Sequence, residues 1–186
     1  MASHSQRPRS ERLVVGITGR IGSGKTTVGR HLESIYGFQY LRYSAVLADW
    51  QVQDSDLQKV GWEVMAGGLQ AELNERLIRQ IKSDSDVVVD GLRHPLDFEA
   101  LSNKFSRSFQ LIYIESPSQL RFERLRAKGK YSDFASFQGA DWHPVEQQID
   151  LLRAKAALVM SNETSLSALY ARADEAISLF RKEGQL

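Results

Sequence analysis

The stretch Gly19-Arg20-Ile21-Gly22-Ser23-Gly24-Lys25-Thr26 satisfies G-x-x-x-x-G-K-[ST] at every constrained position. Each residue type has a task in holding a triphosphate. Glycines let the backbone turn its N–H groups inward around a β-phosphate with no Cβ in the way. The helix that starts within the motif adds its positive N-terminal end. Lys25 is placed to reach the β- and γ-phosphates as a mobile point charge, and the Thr26 hydroxyl suits Mg²⁺. With Thr27 closing the loop, the segment reads as a site for ATP and Mg²⁺.

A second constellation is Val87-Val88-Val89-Asp90-Gly91-Leu92-Arg93. An acid at the C-terminal end of a buried strand lies where ligands bind in open α/β sheets. Asp90 is therefore expected to hold the metal and its waters, and Gly91 to let the chain leave the strand. Arg93 then projects into the same crevice, where its planar fork suits an acceptor phosphate. The plainer alternatives are a helix cap for Asp90 and a surface ion pair for Arg93. A third feature is basic: residues 118–131 carry Arg121, Arg124, Arg126, Lys128 and Lys130 against Glu123 alone. In a helix opened by Pro117, Arg121, Arg124 and Lys128 share one face, with a solvated charged face as the competing reading.

Elements able to position these groups are visible in the apolar pattern. Leu13 to Ile17, Phe38 to Leu41, Val87 to Val89, Phe109 to Ile114 and Ala157 to Met160 read as strands. Helical spacing follows in Val28, Leu32 and Ile35, from Leu57 to Ile81 with a pause at Gly67-Gly68, near Pro95, after Pro117, and from Leu166 to Phe180. Solid apolar strands separated by helices predict a parallel sheet buried on both faces, hence a three-layer α/β domain with five strands. Residues from about 128 to 145 show no clear period and read as a small lid or an ordinary long connection.

The chain has 186 residues, enough for one domain with a small lid. Its 42% hydrophobic and 25% charged residues are ordinary globular usage and exclude a fibrous or disordered chain. A net charge of +1 disfavours a wholesale polyanion binder. With no cysteine, there is no disulfide framework, thiolate metal site or cysteine nucleophile. Residues 1–11 are polar, Arg- and Ser-rich, and read as a disordered tail, leaving 12–186 as the folded domain. No apolar run approaches a membrane span, and no secretory signal is read, so a cytoplasmic protein is the expectation. His4, His31, His94 and His143 are too scattered for a metal site. Trp50, Trp62, Trp142, Tyr43 and Phe134 are candidates for lining an acceptor pocket or for plain packing.

The run Val14-Val15-Gly16-Ile17-Thr18 leading into Gly19 to Thr27, together with Asp90-Gly91-Leu92-Arg93, resembles the nucleoside monophosphate kinase-like branch of P-loop kinases. That branch includes adenylate-type kinases, dephospho-coenzyme A kinases and small, less-characterised nucleotide kinases. The resemblance implies the P-loop NTPase fold, with an acceptor flap built from the helices between about residues 44 and 82 and a lid over 128–145. It implies an ATP-dependent phosphotransferase acting on a nucleotide or nucleotide-like acceptor, first of all a (deoxy)nucleoside monophosphate. Lys25 and Asp90 would serve catalysis, Arg93, Arg121 and Ser44 would meet the acceptor, and Arg124 with Lys128 would match the family's R-L-x-x-R lid arginines. Lys128 departs from that pattern, because lysine keeps the charge and loses the planar fork. Asn162 lies in the loop after the last strand, where related kinases contact adenine, although Thr164 there equally fits a helix cap. Dephospho-coenzyme A kinases present an aspartate at the second strand's end, where this chain has Arg42-Tyr43-Ser44-Ala45. That departure favours a phosphate acceptor, which needs no base. The alternatives are dephospho-coenzyme A, a modified base or end in DNA, and a nucleotide-binding switch or scaffold with slow hydrolysis. Nucleic acid is not the favoured partner, and no membrane is implied.

Overall fold

Apolar runs become interior strands when both of their faces are covered. In the computed structural model, which describes residues 12–50 and 57–183, five strands form one parallel sheet. They are β1 (Val14–Thr18), β2 (Gln39–Arg42), β3 (Val87–Leu92), β4 (Phe109–Glu115) and β5 (Leu158–Ser161), in the order β2-β3-β1-β4-β5. Among the described residues nine α-helices connect or follow them: α1 (Lys25–Tyr36), α2 (Tyr43–Trp50), α3 (Leu57–Ala66), α4 (Gln70–Arg79), α5 (Pro95–Phe105), α6 (Ser118–Arg126), α7 (Phe134–Asp141), α8 (Pro144–Arg153) and α9 (Leu166–Glu183). This is the three-layer P-loop NTPase fold that the sequence predicts. The tail reading for residues 1–11 lies outside the described residues.

The period of two assigns side chains to two cores. Val14, Val87, Val89 and Leu111 pack on one face against Leu47, Leu73, Leu77, Leu101 and Leu152. Val15, Ile17, Val88, Ile112 and Ile114 pack on the other against Val28, Leu32, Leu169, Ala173 and Ile177. Each such fully buried aliphatic chain contributes roughly 1.5–3 kcal/mol relative to exposure. A small third cluster joins Phe122, Leu125 and Phe137 under Ile21, Tyr131 and Phe134. The chain order reverses at β1, so the loop after β1 sits at the crevice where open α/β sheets bind ligands.

Three local expectations change. Strand β3 does not end at Asp90. Gly91, at φ 93°, forms a bulge, so that Ile17 faces Asp90 while Thr18 faces Leu92 and its hydroxyl donates to the Leu92 carbonyl at 2.7 Å. Helix α6 stops at Arg126, where the Gly129 N–H reaches the Arg126 carbonyl and the Lys130 N–H reaches that of Leu125. Lys128 therefore lies in the turn, exposed, and does not continue the face of Arg121 and Arg124. The aperiodic stretch after it holds α7, capped by the Asp133 side chain on Ser136 N–H at 2.8 Å, and the start of α8 with Pro144 in its first turn. Two turns anchored by Phe134 and Phe137 are too short to display a period.

Helices α3 and α8 meet directly. The Trp62 ring lies edge to face at 6.3 Å with that of His143, the N-cap of α8, and Gln58 Nε2 donates to the carbonyl of Ala140 in α7 at 2.9 Å. Among the described residues no helix is long and apolar enough to cross a membrane.

Candidate active site

The loop between β1 and α1 winds so that Gly19 (φ 141°) and Gly24 (φ 110°) adopt backbone conformations open mainly to glycine. A Cβ at Gly19 would collide with the Ile114 carbonyl, and one at Gly24 with Asn162 Nδ2. The loop is tied from below, as Asn162 Nδ2 donates to the Ser23 carbonyl at 2.8 Å. Lys25 Nζ donates to the Gly19 and Arg20 carbonyls at 2.6 and 3.0 Å. Burial, followed by the Arg93 charge, pushes the Lys25 ammonium down to about 8. An anion bound there would oppose both effects.

Thr26 Oγ1 donates to Asp90 Oδ2 at 2.9 Å, joining the first turn of α1 to β3. The same carboxylate oxygen accepts from Tyr40 Oη at 2.5 Å. Burial and the Asp90 charge raise the Tyr40 phenol well above its ordinary value, so it stays a donor. A hydroxyl and a carboxylate form a hard, oxygen-only set that suits Mg²⁺. Among the described residues no group of three or more His, Cys, Asp or Glu could hold a metal ion by itself. The pair thus fits an ion that takes its remaining ligands from water and substrate phosphates. Sequence reasoning missed Tyr40, whose signal was weak: β2 is a four-residue edge strand, only partly buried.

The basic residues meet different fates. Arg124 donates from NH1 to Ser116 Oγ at 3.0 Å and from NH2 to the Asn162 carbonyl at 2.9 Å. It thereby joins the start of α6 to the loop after β5, beside the tie on Ser23. Arg121 is buried, 4% exposed, and spends its guanidinium inside the protein. NH1 and NH2 reach the two Asp141 oxygens at 2.6 and 2.8 Å, Nε reaches the Ser116 carbonyl, and NH1 also reaches that of Ile21. A bidentate buried pair of this kind fixes an orientation and leaves no free fork for an acceptor. Lys128 is exposed beyond α6, and Ser44 is exposed in the first turn of α2.

Arg93 does reach the crevice, and it pairs there with Glu146 of α8. Its backbone is held by Asp97, whose Oδ2 accepts from the Arg93 and His94 N–H groups at 2.9 Å each, while Gln70 Nε2 donates to Oδ1 at 2.5 Å. With the His94 ring accepting from Leu96 N–H, this is a capping arrangement for α5, so Asp90 does not cap that helix. Burial raises the Asp97 carboxyl above its ordinary value. Glu146 also accepts from the Ile21 N–H of the phosphate loop, at 2.8 Å to Oε2. Arg20 grips Asp150 through Nε at 3.1 Å and NH2 at 2.6 Å. That pairing holds the Asp150 carboxyl below its ordinary value and the Arg20 guanidinium above its own. Asp141, Glu146 and Asp150 were missed because their partners lie 20 to 130 residues away. Pro144, in the first turn of α8, was the available signal that a helix presents Glu146.

Of the aromatic candidates, Tyr43 is buried and donates to Asn74 Oδ1 at 2.6 Å, and Phe134 packs on Phe122 and Phe137. Trp50 lies beneath the Arg76 guanidinium, while Trp62 and Trp142 remain exposed. At the last helix Ser165, rather than Thr164, supplies the side-chain acceptor, to Ala168 N–H at 3.2 Å.

Comparison with known proteins agrees with this architecture. The family described as "AAA domain" matches residues 15–142. A UPF0200 protein of Pyrobaculum aerophilum is 29% identical over 155 residues, which are 81% of this chain and 88% of that protein. One from Sulfurisphaera tokodaii is 27% identical over 172 residues, 87% and 94% of the two chains. Among solved structures, a gluconokinase from Sinorhizobium meliloti superposes with a TM-score of 0.62 at 15% identity, covering 94% of this chain and 96% of that one. A shikimate kinase from Acinetobacter baumannii gives 0.55 at 19% identity, over 91% and 93%.

Proposed function

The chain belongs to the AAA domain family, with a kinase-like P-loop fold, and on that premise we propose that it is an ATP-dependent phosphotransferase. It passes the γ-phosphoryl group to a small acceptor of nucleotide or nucleotide-like kind. The observation that carries this reading is the cradle itself: positive-φ glycines, Lys25 facing into the loop, and Thr26 bonded to Asp90 across the sheet. Two structures of the same fold are called kinases, which supports it further.

The loop amides and Lys25 bind the phosphates, and Lys25 offsets the charge that builds on the transferring group. Thr26 and Asp90 would hold Mg²⁺, which when bound supplies charge neutralisation between the phosphates. Tyr40 holds the Asp90 carboxylate in place toward Thr26. Arg124, beside Asn162, offers a planar cation to the nucleotide's base side. Helices α2 to α4 form the acceptor flap, and the segment from Lys128 to α8 closes over the phosphate loop, which excludes water from the transfer.

Coupled ADP release, with ATP·Mg²⁺ and each (deoxy)nucleoside monophosphate, dephospho-coenzyme A and oligonucleotides in turn, tests the reading. Acceptor-stimulated turnover is the expected result, and its absence in every lane overturns the phosphotransferase. Acceptor-independent hydrolysis alone would point instead to a switch or scaffold.

A further inference from the structure

Three arginines border the phosphate loop, and a carboxylate from α7 or α8 holds each of them: Asp150 on Arg20, Asp141 on Arg121 and Glu146 on Arg93. We propose, resting on the phosphotransferase reading, that the acceptor reacts through an uncharged hydroxyl and that Glu146 is the catalytic residue that takes its proton. The substrate class is then a nucleoside-like alcohol rather than a second phosphate.

Glu146 has 0% exposure, and it lies between Ile21 of the phosphate loop and Arg93 after β3. Its Oε2 accepts from Ile21 N–H at 2.8 Å and its Oε1 holds Arg93. Enclosing a carboxylate costs free energy that its hydrogen bonds recover only in part, so packing alone does not account for a glutamate here. A carboxylate carries about four acceptor positions, and these two contacts leave room for a further proton donor. An acceptor phosphate would have to draw Arg93 away, leaving a buried carboxylate unpaired beside two anionic groups. A hydroxyl needs an acceptor for its proton at that place and leaves the pair whole. Asp90 is committed elsewhere, since it accepts from Thr26 and Tyr40 on Oδ2 and, with Thr26, would hold Mg²⁺. The end of β2 supplies Arg42, Tyr43 and Ser44 and no acid.

The step balances. The acceptor oxygen forms a bond to the γ-phosphorus, and the bond from that phosphorus to the β,γ-bridging oxygen breaks. The hydroxyl proton passes to Glu146 and ADP leaves with the electron pair; once the products depart and water enters the opened site, Glu146 gives the proton to that water.

The full chain with Mg²⁺ is the test material. Calorimetric titration with β,γ-methylene-ATP reads binding without turnover. Water is the smallest uncharged hydroxyl, so acceptor-free ATP hydrolysis samples the same proton transfer. Glu146→Gln keeps a carbonyl oxygen at the site, so it should bind the analogue within about threefold of wild type and hydrolyse ATP about 10²-fold more slowly. Glu146→Asp should restore part of the rate, with no change in analogue affinity. Nucleosides and dephospho-coenzyme A should stimulate ADP release by the wild type more than the matching monophosphates do. Wild-type hydrolysis rates in Glu146→Gln, or preference for monophosphates, overturn this inference and leave the phosphotransferase standing. A wild type that does not bind the analogue, or binds it and releases no ADP under any condition, overturns both. Should Glu146→Gln fail to fold by circular dichroism, the acceptor comparison on the wild type decides alone.

Discussion

At the phosphate loop, Lys25 has backbone carbonyls for partners, and the N-terminal end of α1 adds positive potential. On the rim of the same crevice, Arg20, Arg93 and Arg121 each grip a carboxylate. The loop acts as a receptor: burial, with the Arg93 charge, depresses Lys25 by more than Glu146 and Asp90 raise it, so a further anion in the loop would be favoured. The rim is already neutral. Positive charge count therefore says little about which groups bind a substrate. What separates the two regions is whether a cation's partner is a carbonyl that an anion displaces or a carboxylate that it does not.

The largest expected effect tests the receptor half. Lys25→Met should lower turnover about 10²–10³-fold while the chain stays folded, read by coupled ADP release and circular dichroism. Next is the neutral rim, where Arg121→Met leaves buried Asp141 without its bidentate partner and only Arg20, at 3.6 Å, beside it. Urea unfolding should show a loss of about 3–5 kcal/mol, and Arg121→Met combined with Asp141→Leu should regain most of it. If Arg121→Met instead stays stable and loses acceptor affinity, the division between receptor and rim is broken.

Arg124 belongs to neither half. Its partners are a hydroxyl, a carbonyl and the Asn162 amide, with no carboxylate among these bonds. Arg124→Ala should weaken ADP binding about fivefold in calorimetry, with little change in stability. Asp150→Asn should have the smallest effect. Asp150 is half exposed, so its pair with Arg20 contributes at most about 1 kcal/mol. Because Arg20 lowers the carboxyl's folded value, that contribution is present above the ordinary carboxylate range and disappears as pH falls through the folded value. The Tm gap between wild type and Asp150→Asn should close on acidification; a gap that widens would contradict the pairing.

The same division explains what the sequence made legible. Gly19 to Thr27 is contiguous, and its work is done by backbone and by residues next to one another, so a string of letters carries it. Asp90 was readable because Val87 to Val89 form a strand buried on both sides. The carboxylates of α7 and α8 were not, because each acts through a contact made only after the sheet has assembled. Arg121, Arg124 and Lys128 show the reverse failure. Their spacing suggested one cationic face, yet packing buried the first, bonded the second to the loop after β5, and left the third in a turn. Tyr40 was lost for a different reason, as an edge strand of four residues gives periodicity almost nothing to act on.

The junction of α3 with α8 carries a mechanical consequence. On the proposed reading α3 belongs to the flap and α7 and α8 to the segment over the phosphate loop; Trp62 meets His143 at the N-cap of α8, and Gln58 bonds Ala140 of α7. Two covers hinged separately would open in two steps and admit ATP and acceptor independently. Covers fastened to each other form one cooperative unit, whose amides should share a common opening rate in hydrogen exchange. On the proposed reading, a nucleotide seated against Ile21 would act, through Glu146 and α8, on α3 of the acceptor flap.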